Sequence, residues 1–142
     1  MAEPAAESKS CACDIALTHP LGEACNEEAF RHFLAMERRR SRRSGRAFLL
    51  LLVRPTGARL DPGVAEQLFA CLWLCLRETD QVGWFREGRV AGALLTDVSG
   101  ADVAAAVCEK VRGSLQAGLP PDIASGIAVR AFRLPSRRTG VR

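Results

Sequence analysis

The stretch Phe48-Leu-Leu-Leu-Leu-Val53 constrains this chain more than any other part of it. It is continuously apolar, closed by Arg54-Pro55, too short for a buried helix and without the alternation that would leave one face wet. A run of this kind reads as a β-strand covered on both faces. Such a strand needs a layer on each side, so its neighbours in sequence decide the fold.

Upstream, Asn26 is an N-cap candidate, with Glu27 and Glu28 in the first helical turn. Phe30, Phe33 and Leu34 follow at i, i+3, i+4 spacing. An Arg cluster suits the carbonyl end of the dipole, and Gly45 stops the helix. Downstream, Asp61-Pro62 supplies an N-cap and an N1 proline for a second helix. Its inner stripe is Val64, Leu68, Leu72, Cys75 and Leu76. Leu68 to Leu76 is apolar nearly all round, so an outer cover is expected, either the N-terminal helix or another subunit.

Gln81–Phe85 and Arg89–Thr96 flank the turn Arg86-Glu87-Gly88 and predict a β-hairpin. Ser99, with Asp102 three residues on, predicts the cap of a third helix. Val103, Val107, Val111 and Leu115 form its stripe, and Gly118-Leu119-Pro120-Pro121 ends it. Ile127, Val129 and Ala131 mark a last strand. The order is an extra N-terminal helix, then β-α-β-β-α-β. This predicts an α+β, ferredoxin-like domain, with four antiparallel strands, the first one central, and both core helices on one face. The expected division is a leader at 1–25, a domain at 26–134 and a basic tail at 135–142.

Neither the Ala47–Val53 run nor Leu68–Leu76 approaches the roughly 20 apolar residues of a membrane span. The N-terminus has no basic region followed by an apolar one, so a cytoplasmic protein is expected. The formal charge of +4 is unevenly spread. Residues 38–46 hold six Arg and no acid, and residues 136–142 hold three more. Setting those nine aside leaves eleven Lys and Arg against sixteen Asp and Glu, a remainder of −5. The Arg-rich segment makes a nucleic-acid-binding module an alternative function, set against a solvated helix end. No aromatic RNA-binding signature on the central strand supports that alternative. Six cysteines in a chain with no export signal do not predict disulfides. Cys71 and Cys75 sit in an apolar helical run as small hydrophobes. Cys11, Cys13, His19 and Cys25 match no usual zinc spacing, so no metal site and no cofactor are expected.

The second helix and the hairpin carry a family resemblance. Arg77-Glu-Thr-Asp80 is followed by five residues and then by Arg86-Glu87-Gly88-Arg89-Val90. GGDEF domains read Arg-x-x-Asp, five residues, then Gly-Gly-(Asp/Glu)-Glu-Phe on a hairpin turn. With its element order, residues 26–134 resemble a degenerate GGDEF domain, of the diguanylate cyclase or nucleotidyl cyclase-like type. The resemblance implies bacterial signalling, a regulatory role and a relation to cyclic di-GMP.

The departures from the family pattern bear on chemistry. In the family, metal-holding carboxylates sit at the end of the first strand and in the hairpin turn. Here Val53-Arg54 ends that strand, and Gly88-Arg89 stands where the turn acids belong. Glu87 is one residue out of place, and Arg86 and Arg89 would repel a divalent cation. The expectation is therefore no enzyme activity. Arg77 and Asp80 keep the family spacing, which implies a ligand site for cyclic di-GMP, set against the plainer reading that they cap the helix end. A protein partner or a homodimer contact is expected on the outer face of residues 68–76.

Overall fold

Capping and strand register explain the architecture in the computed structural model. The structure describes residues 18–19, 22–57, 59–77, 79–96, 98 and 102–134. The first long helix, α1, is Glu27–Ser44. The Asn26 side chain accepts from the Ala29 amide, and Gly45 closes the other end at φ +78. β3 is Phe48–Arg54, α2 is Pro62–Cys75, β4 is Gln81–Arg86 and β5 is Val90–Leu95. α3 is Val103–Gly118, α4 is the single turn Pro121–Ala124 and β6 is Ala128–Leu134. Asp61 caps α2 by accepting from the Gly63 amide, as its Asp-Pro start predicts.

The sheet order is β4-β5-β3-β6, with every neighbour antiparallel. This is the expected ferredoxin-like α+β sheet with β3 inside it. Alternation divides β3 between two cores. Leu49, Leu51 and Val53 face α2 and α3, joining Leu68, Phe69, Leu72, Val111 and Leu115. Phe48, Leu50 and Leu52 face the other way and pack with Phe30, Phe33 and Leu34 of α1. The helix predicted as extra is thus a third layer, on the sheet face opposite α2 and α3.

That placement answers the question left by α2. The N-terminal helix does not cover its outer side. The fully buried stripe is Ala65, Leu68, Phe69, Cys71 and Leu72 rather than one running through Val64, Cys75 and Leu76. Trp73 is half-buried against Phe69, and Leu74 stays 70% exposed. Flanking α3 shortens the bare face to little more than Leu74. Cys71 is buried as expected, and burial pushes its thiol up from the ordinary range.

Three boundaries differ from expectation. The predicted leader, 1–25, contains a short antiparallel ladder, β1 (Thr18–His19) with β2 (Gly22–Glu23). Its end is part of the domain: Ala24 and Cys25 are buried, and Cys25 runs parallel to β4. The Cys25 amide donates to the Val82 carbonyl at 3.0 Å, and the Trp84 amide donates to the Cys25 carbonyl at 2.9 Å. A one-residue bridge has no periodicity, so sequence pattern could not reveal it. Ser99 lies outside the described residues; α3 is described from Val103, and Asp102 at its N-cap makes no side-chain cap bond. The hairpin turn falls on Glu87-Gly88-Arg89, one residue later than predicted, because Arg86 pairs with Val90 after a bulge.

Candidate functional site

The end of β3 and the β4–β5 turn lie side by side, with Val53 paired to Ala91. Val53 is fully buried in the α2/α3 core, paired with Ala91 and Val129. Arg54 is exposed on the opposite face. In the turn, the Arg89 amide donates to the Arg86 carbonyl at 2.9 Å, and Gly88 takes φ +75. Glycine populates this left-handed region without the penalty a Cβ brings. Gly88 is held from behind by the loop leaving β3, whose Leu60 amide donates to the Gly88 carbonyl at 2.8 Å. The Arg59 guanidinium lies directly over Gly88: a Cβ there would stand 2.8 Å from Arg59 Nη2. Arg89 is exposed.

Glu87, the displaced acid, is used elsewhere. Its Oε1 accepts from the Glu27 amide at 2.9 Å, and its own amide donates to Glu27 Oε1 at 2.7 Å. The two residues therefore clasp the N-terminus of α1 to the hairpin turn. A carboxylate is favourable there because the free amides and the dipole both attract negative charge. Arg31 completes the arrangement, 3.3 Å from Glu27 Oε2 and 5.0 Å above the Phe85 ring.

These side chains do not fit a divalent cation. Hard cations of the magnesium type take oxygen ligands. Val53, Arg54, Gly88 and Arg89 supply no side-chain oxygen, and Arg59 brings positive charge to the turn. Among the described residues, no three His, Cys, Asp or Glu side chains gather as a metal set. Of the zinc candidates, Cys11 and Cys13 lie outside the described residues. Cys25 Sγ accepts from Gln81 Nε2 at 3.2 Å.

Arg77 and Asp80 do meet. The Asp80 side chain is 1% exposed and accepts from the Arg77 amide at 2.9 Å and from Arg77 Nη2 at 3.3 Å. The Asp80 amide returns a bond to the Arg77 carbonyl at 2.9 Å. Arg77 Nη2 also donates to the Thr96 carbonyl, tying the exit of α2 to the end of β5. Asp80 is spent on this turn. The Arg77 side chain remains 54% exposed beside an open cleft of about 370 Å³. Its walls include Leu76, Leu95, Val98 and Val107, and Lys110 of α3 adds a second cation. Sequence spacing found the pair but not Lys110, which comes beside it only through the packing of α3 on α2.

No protein-family model matches the chain, and no curated protein matches it. Solved structures do. A DGC protein from Thermotoga maritima superposes with a TM-score of 0.66 at 15% identity, over 83% of this chain and 87% of that one. The GGDEF domain of DgcB from Caulobacter crescentus, in complex with c-di-GMP, gives 0.61 at 13% identity over 86% and 78%. The fold is that of a GGDEF domain. A third GGDEF-type neighbour is the diguanylate cyclase SiaD from Pseudomonas aeruginosa, in complex with its activator SiaC. It gives a TM-score of 0.57 at 22% identity, over 82% of this chain and 48% of that chain. The GGDEF-type frame is therefore retained at sequence identities that leave the site residues to be judged one by one. No helix among the described residues is long and apolar enough to cross a membrane.

Proposed function

We propose that this chain is a non-catalytic regulatory domain built on the GGDEF-type frame. One observation carries the reading: where the frame calls for metal-holding acids, this chain places a buried Val53, the cations Arg54 and Arg89, and a Gly88 covered by Arg59. Phosphoryl chemistry with nucleoside triphosphates needs charge neutralisation at that point. Positive side chains can attract phosphate but cannot hold the cation.

The ligand assigned to this domain is cyclic di-GMP, at the cleft beside Arg77. A half-exposed guanidinium already oriented by a buried carboxylate is suited to bidentate contact with a phosphate or a guanine edge. Lys110 adds charge of the same sign. A c-di-GMP complex of the DgcB GGDEF domain and an activator complex of SiaD support ligand-linked and protein-linked regulation on this frame. Isothermal calorimetry tests the assignment. Cyclic di-GMP is expected to bind the wild type and to lose at least tenfold in affinity to Arg77→Ala. Absence of heat at high micromolar ligand, or equal binding by the variant, would remove the receptor assignment.

A further inference from the structure

Helix-terminal charge accounts for only part of the arginine run at the end of α1. Basic residues favour the carbonyl end of a helix, but the effect falls off within the last turn. Arg42 and Arg43 occupy that turn. Arg38, Arg39 and Arg40 stand before it, and all five are exposed. Arg38 with Arg42, and Arg39 with Arg43, are like charges at i, i+4 spacing, which destabilises a helix left to itself. Glu37 pairs with Arg40 at 3.2 Å, but among the described residues Arg38, Arg39, Arg42 and Arg43 make no ion pair. Packing turns the cluster outward. Ser41 is buried, and its Oγ donates to the Arg46 carbonyl just past the helix. Arg39 and Arg43, each two residues from Ser41, therefore stand on the side of α1 away from the sheet.

Strand register brings a second basic segment to the same end of the molecule. β6 runs antiparallel to β3 and finishes with Leu134 opposite Phe48, where α1 hands over to the sheet through Gly45-Arg46-Ala47. Residues 135–142, which lie outside the described residues, continue from that point and hold three more arginines and no acid. Two runs far apart in sequence thus meet at one basic pole, while the rest of the chain is acidic. Concentrated like charge raises the local potential and draws in an anionic partner. On the pole, a groove of about 450 Å³ is lined by Met36, Arg39, Arg40, Arg43 and Ser44. Met36 is 37% exposed, one of three large apolar side chains left exposed among the described residues.

Cations set around an exposed apolar side chain suit a surface that is anionic outside and apolar beneath, which is the chemistry of a charged lipid bilayer. A nucleic-acid strand is served less well, because the groove lining offers no aromatic ring on which a base could stack. We propose that the basic pole of α1 docks this domain on an anionic phospholipid surface, with Arg39, Arg42 and Arg43 on lipid phosphates and Met36 at the hydrocarbon boundary. Guanidinium groups match phosphate oxygens in a bidentate fork. The surface is separate from the Arg77 cleft, which α2 and α3 residues line. The two assignments therefore stand or fall independently.

Co-sedimentation with vesicles of mixed phosphatidylglycerol and phosphatidylcholine, against vesicles of phosphatidylcholine alone, tests the proposal. Binding is expected to the anionic vesicles only, falling steeply as salt rises. Arg39→Glu with Arg43→Glu is expected to weaken it at least tenfold, and Met36→Ser by a smaller factor. Arg86→Glu with Arg89→Glu makes the same change in net charge at the hairpin turn, beside the opposite end of β3, and is expected to alter binding little. Far-ultraviolet circular dichroism confirms that these exposed-site variants stay folded. The proposal is overturned if anionic vesicles bring down no protein, or if both vesicle types bring down equal amounts. It is also overturned if Arg39→Glu with Arg43→Glu binds as wild type, or if the two double reversals lose binding equally. Tighter binding to a single-stranded RNA homopolymer than to vesicles, at matched phosphate, would overturn it in favour of nucleic acid. Salt-sensitive self-association without vesicle binding would overturn it by making the acidic body of a second copy the occupant.

Discussion

Gly83→Ala is expected to destabilise the protein by about 2 to 4 kcal/mol, although it adds a single methyl group. A Cβ at this position would stand 2.7 Å from the Cys25 carbonyl oxygen and 2.9 Å from Cys25 Cβ. The carbonyl is main chain, so relief requires the whole segment to move off β4. Moving it breaks the two backbone bonds that Cys25 makes with Val82 and Trp84. The strain of overpacking and the lost bonds then add. Gly113→Ala in α3 is the control, because a Cβ there meets nothing within 4 Å. Removing a helical glycine is expected to raise stability by about 0.5–1 kcal/mol. Denaturant unfolding of the two variants should give effects of opposite sign, and a Gly83→Ala midpoint equal to wild type would remove the Cys25 strap from the fold.

Phe69→Ala is expected to cost more, about 3–5 kcal/mol. Phe69 is fully buried on α2 and meets Trp84 of β4 edge to face, with ring centroids 5.0 Å apart. It also lies against Trp73, at 6.0 Å. Truncation would leave a cavity between the α2/α3 layer and the sheet that rigid neighbours cannot fill. The thermal midpoint is expected to fall by on the order of 10–20 °C. Leu74→Ala, at a 70% exposed position of the same helix, should change it little. Equal losses for the two variants would contradict the burial assigned to the two faces of α2.

The difference between those two faces shows what the sequence could and could not reveal. Periodicity and caps marked the elements: Asn26, Gly45 and Asp61 stand at the helix ends they predict, and the Phe48–Val53 run is the doubly covered strand. Element order then led to the sheet, because antiparallel hairpins and short crossovers leave few ways to arrange four strands. Local pattern could not say what touches what at long range. The Glu27–Glu87 clasp and the Cys25 bridge join residues about 60 apart, and neither leaves a periodic trace. The same limit applied to the sites. Spacing singled out Arg77 and Asp80, but their mutual bonds and the neighbouring Lys110 depend on how α2, α3 and β5 pack. Arg59 stands over the turn only because the β3–α2 loop bonds to Gly88, a contact with no local sequence pattern.

Val53, Arg54, Gly88 and Arg89 offer a divalent cation no side-chain oxygen, so the proposed regulatory role entails no cyclase activity. Incubating the purified protein with GTP and Mg²⁺ or Mn²⁺, while following pyrophosphate release and cyclic di-GMP formation, tests this most directly. No signal above a protein-free blank is expected at any protein concentration. Metal-dependent formation of cyclic di-GMP, rising with protein concentration, would contradict it.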